Sequence, residues 1–241
     1  TAYEITYGDW SSDVCSSDLT VECRAYTTML ICNLSSVEQH RATILTAGGL
    51  SCLENVAVNI DDDINLKRAT LLTLYNLSAC NEYHAFIERS CLMQFIVAAC
   101  QSDDWLCQRC ALMILSNVAC NDETIAVATR GGGLQAAILS LKGDDKALQR
   151  FGLVCLANMS NDSQTQSQIV VHGGLQSIIN LSRDSNRETR ECALMCLSNL
   201  CTNETIHLSL VDQAALDVLL DACESVTAAS ALANLTSSAE L

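Results

Sequence analysis

The runs ALMILSNVA at residues 111–119 and ALMCLSNLC at 193–201 decide the reading of this chain. Both are apolar and close around a single asparagine. Four looser copies accompany them: MLICNLS at 29–35, LTLYNLS at 72–78, VCLANMS at 154–160 and SALANLT at 230–236. Their asparagines are Asn33, Asn76, Asn117, Asn158, Asn199 and Asn234, spaced by 43, 41, 41, 41 and 35 residues. A second marker keeps the same phase. Gly48-Gly49, Gly132-Gly133 and Gly173-Gly174 stand just before Leu50, Leu134 and Leu175. Ser90-Cys91 and Ala214-Ala215 take that place before Leu92 and Leu216. Two independent markers with one period predict a repeat array, and a period of roughly 40–47 residues reads as stacked helices.

One unit shows the grammar of the rest. Asn121-Asp122-Glu123 opens a short first helix with acids at its positive end. Arg130 closes it, and Gly131-Gly132-Gly133 allows a sharp turn. GLQAAILSLKG forms a second helix, and Asp144-Asp145 caps a longer third one. The same syntax predicts third helices over about 64–79, 104–119, 145–160 and 186–201, capped by Asp61 to Asp63, Asp103-Asp104, Asp144-Asp145 and Asp184 to Asn186. First helices end at Arg89, Arg130 and His172, where a cation meets the negative helix end. That placement explains these three residues structurally.

The resulting division is a partial repeat at 20–37, full repeats at 38–80, 81–121, 122–162 and 163–203, and a shortened one at 204–241. Helical arrays need polar capping units, so both ends read as cut. The stretch SSDVCSSDL, Ser11 to Leu19, lies outside the repeat phase. Residues 1–19 are therefore a non-repeat tail, either a translated sequencing-adapter artefact or a genuine disordered segment.

Bulk composition narrows the function. Apolar residues make up 49% and aromatics 4%, with no proline, which suits tightly stacked helices. The formal charge of −15 lacks the basic footprint of nucleic-acid binding. The longest nearly apolar stretch, Cys91 to Cys100, is too short to span a bilayer. Fifteen cysteines lie mostly in apolar helical runs, which predicts reduced, buried thiols such as Cys110, Cys155 and Cys192 and a reducing compartment. The one CxxC, Cys107 and Cys110, has no further pair of metal ligands near it. His40, His84, His172 and His207 join no nucleophile constellation, and RGGGL lacks the rest of a phosphate loop. No catalytic residue, metal or cofactor is expected.

The third helix can be read as a surface by counting back from its asparagine at about 100° per residue. Offset −2 holds Ile31, Leu74, Leu115, Leu156, Leu197 and Leu232; offset −6 holds Thr70, Ala111, Gly152 and Ala193. That arc is apolar or small and should be buried. The asparagine lies on the opposite, more exposed arc. With it at −4 are Met29, Leu72, Met113, Val154, Met195 and Ser230. At −8 are Ala25, Arg68, Arg109, Arg150 and Glu191, and at −1 are Cys32, Tyr75, Ser116, Ala157, Ser198 and Ala233. An Asn amide offers both a donor and an acceptor. A ladder of them can bond the backbone of an extended peptide without reading its side chains. The three arginines predict a locally positive strip suited to acidic and apolar side chains. The competing reading is that each asparagine satisfies its own turn or a neighbouring loop.

These motifs resemble the armadillo repeat family. Its third-helix signature ALxxLxNL is met by residues 111–119 and 193–201, and its GGLxxL signature by GGLSCL (48–53), GGLQAAI (132–138) and GGLQSI (173–178). The resemblance covers about 20–241 and implies an all-α, right-handed superhelical solenoid with three helices per repeat. It also implies a concave face of third helices that binds an extended peptide, clamped by Asn33, Asn76, Asn117, Asn158, Asn199 and Asn234. Arg68, Arg109, Arg150, Leu72, Met113, Val154 and Met195 would select its side chains. Importin-α-like adaptors carry tryptophans four residues before the asparagine; this chain has Met, Leu, Val or Ser there, and Trp105 falls at −12. The pattern is closer to β-catenin-type or vacuolar-scaffold-type repeats. The implied function is a non-enzymatic protein–protein scaffold, in the cytoplasm with the nucleus as a second site. The alternative is a nuclear import adaptor for basic signals. The expected partner is a protein, with no nucleic acid and no membrane insertion, and the chain is a monomer or part of a longer one.

Overall fold

Side-chain oxygens fix where the long helices begin. Asp63 accepts from the backbone N–H groups of Asn65 and Leu66, Asp104 from Cys107, Asp145 from Ala147 and Leu148, and Asn186 from Thr189. Each satisfies amides that a helix start leaves without partners. The computed structural model describes residues 21–60, 63–87 and 90–237. The predicted tail 1–19, Asp61, Asp62 and Arg89 lie outside the described residues.

A lone long helix, α1 (Val21–Ser35), comes first. Groups of three follow: α2 (Glu38–Thr46), α3 (Gly49–Val58) and α4 (Ile64–Ser78); α5 (Asn81–Ile87), α6 (Leu92–Ala99) and α7 (Trp105–Val118). Next are α8 (Asp122–Thr129), α9 (Gly133–Ser140) and α10 (Lys146–Met159), then α11 (Ser163–Val171), α12 (Gly174–Leu181) and α13 (Arg187–Leu200). The last group is α14 (His207–Asp212), α15 (Ala215–Asp221) and a shorter third helix, α16 (Val226–Thr236). Short 3₁₀ turns at Arg130–Gly132 and Glu204–Ile206 lead into α9 and α14. Among the described residues every element is a helix.

The chain divides into two compact units, one reaching to Ile96 and one starting at Val97, with the division inside α6. In the first unit α1 packs on α4; in the second, α10 packs on both α7 and α13, and α13 on α16. The predicted buried stripe is what these contacts use. Leu74, Leu115, Leu156 and Leu197 at −2 are each 0% exposed, and Thr70, Ala111, Gly152 and Ala193 at −6 are buried beside them. Fully burying one such leucine stabilises by about 1.5–3 kcal/mol relative to leaving it in water.

Glycine pairs set the angle between first and second helices. Gly132 has φ 101°, a left-handed conformation that L side chains rarely adopt. Its neighbour Gly133 lies so close to α8 that a Cβ there would stand 1.9 Å from the Ala128 carbonyl oxygen. Where alanines replace the pair, Ala214 still takes φ 64°, so the turn is kept at a conformational cost.

Two expectations shift. Cys110 and Cys155 are buried, but Cys192 is only half-buried. Its helix α13 packs against α16, which starts eight residues before Asn234 and so has no turn opposite the N-terminal end of α13. Offset −1 was placed on the open arc, yet Ser116 and Ala157 are buried there. The asparagine of the following repeat covers them.

Candidate functional site: the third-helix face

The asparagines reach backwards along the array. Asn158 Nδ2 donates to the Ser116 carbonyl oxygen at 3.0 Å, to Ser116 Oγ at 3.1 Å and to Cys120 Sγ at 3.1 Å. Asn199 Nδ2 does the same one repeat later, to Ala157 O at 2.9 Å, Ser160 Oγ at 3.0 Å and Asn161 Oδ1 at 3.3 Å. In the first unit Asn76 Nδ2 donates to Ser35 Oγ at 3.0 Å, and Ser35 Oγ donates on to Cys32 O at 2.8 Å. The target each time is the carbonyl one residue before the preceding asparagine, directly or through a serine.

That carbonyl needs a partner for a simple reason. A helix leaves its last four C=O groups without intrahelical donors. In α7, Leu115 O receives the Ala119 amide, Asn117 O the Cys120 amide, and Val118 O the Thr124 hydroxyl. Ser116 O is the one left over, and Asn158 satisfies it. The ladder asparagine is therefore a C-cap supplied by the next repeat. A carbonyl acceptor also settles the amide's orientation, because only Nδ2 can donate. Oδ1 of Asn76, Asn158 and Asn199 accepts nothing among the described residues. At Asn158 and Asn199 the fold engages the Nδ2 hydrogens and leaves the acceptor, whereas Asn76 Nδ2 spends one N–H on Ser35 and keeps the other. Asn117 is half-buried, as is Asn234, while Asn33 is exposed.

The −4 row is open beside these acceptors. Leu72 and Val154 are each 37% exposed and Met195 49%, with Met113 half-buried. Exposed apolar side chains next to unused polar acceptors, above a fully buried leucine row, are what a peptide-binding surface requires.

Arginines at −8 do not form the positive strip the sequence suggests. In the second unit Arg109 lies 3.5 Å from Asp145, and Arg150 pairs with Glu188. Lys146 meets Asp184 at 2.7 Å. Every acid belongs to the following repeat, since stacked helices bring its N-terminal turn alongside the −8 row. Asp145 caps its own helix as well. The Leu148 amide, then that of Ala147, with Arg109 adding to them, holds its carboxyl below the usual range. The Asp184 carboxyl is lowered chiefly by the Lys146 ammonium. Arg109 also lies over the half-exposed Trp105 ring, 4.7 Å from its centroid. Arg68 in the first unit is half-buried.

One set of residues escaped the sequence reading. Arg41 Nε donates to Ser35 O, Thr124 Oγ1 to Val118 O and Gln166 Nε2 to Ser160 O, while His84 and His207 present Nε2 to Ser78 O and Cys201 O. All five come from a first helix and cap the third helix before it. Four of them stand eight residues after the repeat asparagine. The spacing was visible, but an arginine, a glutamine and two histidines fill it, so no single residue type marks it.

Among the described residues no group of three or more His, Cys, Asp or Glu could hold a metal, and no helix is long and apolar enough to cross a membrane.

Three-helix units with a glycine-hinged second helix and a long, asparagine-terminated third helix define an armadillo-type helical repeat fold. Solved structures carry the same arrangement. An engineered protein of the Northeast Structural Genomics Consortium aligns with a TM-score of 0.82 at 22% identity, over 93% of this chain and 94% of that one. A designed armadillo repeat protein aligns with a TM-score of 0.82 at 17% identity, over 92% and 97%. Another, in complex with the peptide (KR)4, gives 0.79 at 16% identity, again over 92% and 97%. No family model and no curated protein matches the chain.

Proposed function

We propose that this chain is a non-enzymatic scaffold that binds an extended segment of a partner protein along its third-helix face. The observation that carries the reading is the pairing of unused Asn158 and Asn199 Oδ1 atoms with the exposed Val154 and Met195 side chains. Each Oδ1 is an acceptor for a peptide N–H. Each apolar neighbour covers a side chain of that peptide. Asn76 with Leu72 offers the same pair in the first unit. The designed armadillo protein bound to (KR)4 lends support by fold.

The acidic charge and reduced cysteines suit a protein ligand in the cytoplasm, with the nucleus as a second site, rather than nucleic acid or a membrane. The asparagine ladder and the apolar −4 row are nearer to β-catenin-type or vacuolar-scaffold-type repeats. An import adaptor for basic signals is the second reading, favoured by the (KR)4 ligand of the similar structure.

Because Val154 and Met195 are exposed, charge can be placed there without disturbing the core. The double variant Val154→Glu, Met195→Glu should keep the parent's helical circular dichroism and lose binding to peptides or partners captured by the parent. Undiminished binding by that folded variant refutes the assignment.

A further inference from the structure

The ion pairs between third helices form a series that stops. Lys146 is answered by Asp184, Arg109 by Asp145 and Arg150 by Glu188, so the faces of α7 and α10 are close to neutral. The next helix, α13, breaks the rule in sign and in partner. Its −8 position is Glu191, not an arginine. Glu191 is half-buried, and among the described residues it has one weak donor, Ser225 Oγ at 3.4 Å, and no cation within ion-pair distance. The following helix cannot supply one. In the preceding repeats the answering acids sit 11 to 15 residues before the asparagine, but α16 begins only eight before Asn234. On the same i, i+4 ridge as Glu191 lie Met195 and Asn199 on one side and Arg187 on the other, the last exposed and not paired with it.

We infer that Glu191 reads a lysine or arginine of the bound segment, in an otherwise uncharged apolar stretch. This rests on the peptide-binding reading of the third-helix face. The charge complement is specific. At Arg109 and Arg150 an acidic side chain would have to displace Asp145 or Glu188, exchanging one ion pair for another with little gain. A basic side chain at Glu191 displaces only a long serine hydrogen bond and neutralises a half-buried carboxylate. Helices stacked roughly 8–10 Å apart and a strand advancing about 3.3 Å per residue set the spacing. The basic residue lies roughly two to three residues from the side chain covered by Val154.

The test uses three fluorescein-labelled peptides of a Leu-Ser repeating frame that differ at one central residue: lysine, norleucine or glutamate. Anisotropy titrations are run on the full chain and on its Glu191→Gln and Glu191→Arg variants. The parent should bind the lysine peptide about tenfold more tightly than the norleucine peptide. Glu191→Gln should remove that difference and leave the norleucine affinity unchanged, and Glu191→Arg should turn the preference toward glutamate. A lysine preference that survives Glu191→Gln, or a parent that prefers glutamate, overturns the charge rule while the peptide reading stands. Failure of all three peptides to bind the folded parent overturns both.

Discussion

Replacing Asn158 with alanine should cost the protein stability, because the side chain caps a helix it does not belong to. The substitution removes what is, among the described residues, the only donor to the Ser116 carbonyl oxygen, which sits on a residue 8% exposed. A buried acceptor left without a partner costs about 1–3 kcal/mol. The contacts to Ser116 Oγ and Cys120 Sγ are slightly longer, and the second is exposed, so they add less. An expected loss of about 2 kcal/mol lowers the thermal midpoint by about 4–8 °C for a domain of this size. Urea unfolding followed by circular dichroism gives the free energy directly. Asn158→Asp sharpens the test. It keeps Oδ1 but points a second oxygen at the carbonyl, so the ionised form is disfavoured in the folded state. Its folded pKa must then lie above the unfolded value of about 3.9. The penalty relative to Asn should therefore be small below about pH 4 and grow as pH rises, making Asp worse than Ala at pH 7. If Asn158→Ala unfolds within 0.5 kcal/mol of the parent, the C-cap role is wrong and the amide's donor is available to a ligand after all.

Other outcomes follow from single features. Asp145→Asn and Asp184→Asn keep a capping oxygen but lose an ion pair. Because both folded carboxyls are lowered, that contribution is present above about pH 4 and vanishes as pH falls through the folded values. The gap in melting temperature between parent and variants should accordingly close in acid once pH is below the folded values, and a gap that persists there excludes the ion pairs as its source. Burial pushes the Cys100 and Cys201 thiols up to about 12, which at pH 8 leaves about 10³-fold less thiolate than an ordinary thiol. Iodoacetamide with mass spectrometry should label exposed Cys23, Cys91, Cys120 and Cys223 first, and early labelling of Cys155 or Cys196 would contradict their burial. Ala214→Gly should raise stability by about 0.5 kcal/mol, since it relieves a left-handed alanine at some entropic cost. A calorimetric midpoint that falls instead would show the Ala214 methyl to be a packing group.

What could be read from the chain depended on whether the interaction was local. Helix starts were legible because Asp104 and Asp145 bond amides two or three residues away. The buried row was legible because an isoleucine or leucine recurs at −2 in every unit and need only be apolar. Repeat-to-repeat contacts were not. The pairs Arg109–Asp145 and Arg150–Glu188 join residues a whole repeat apart, and nothing within either helix marks them. The asparagine shows this most sharply. Its recurrence announced a shared role, and its amide suggested ligand binding, with a packing role as the competitor. The structure divides the amide between the two. Nδ2 of Asn76, Asn158 and Asn199 closes the preceding helix, which by itself accounts for an asparagine at those three steps. At Asn158 and Asn199 a ligand has only Oδ1 to claim. Recurrence of a residue across repeats therefore argues first for what every repeat needs, a neighbour's helix end to be capped. Selectivity has to come from positions that do not recur, and on this face the position that changes sign is Glu191.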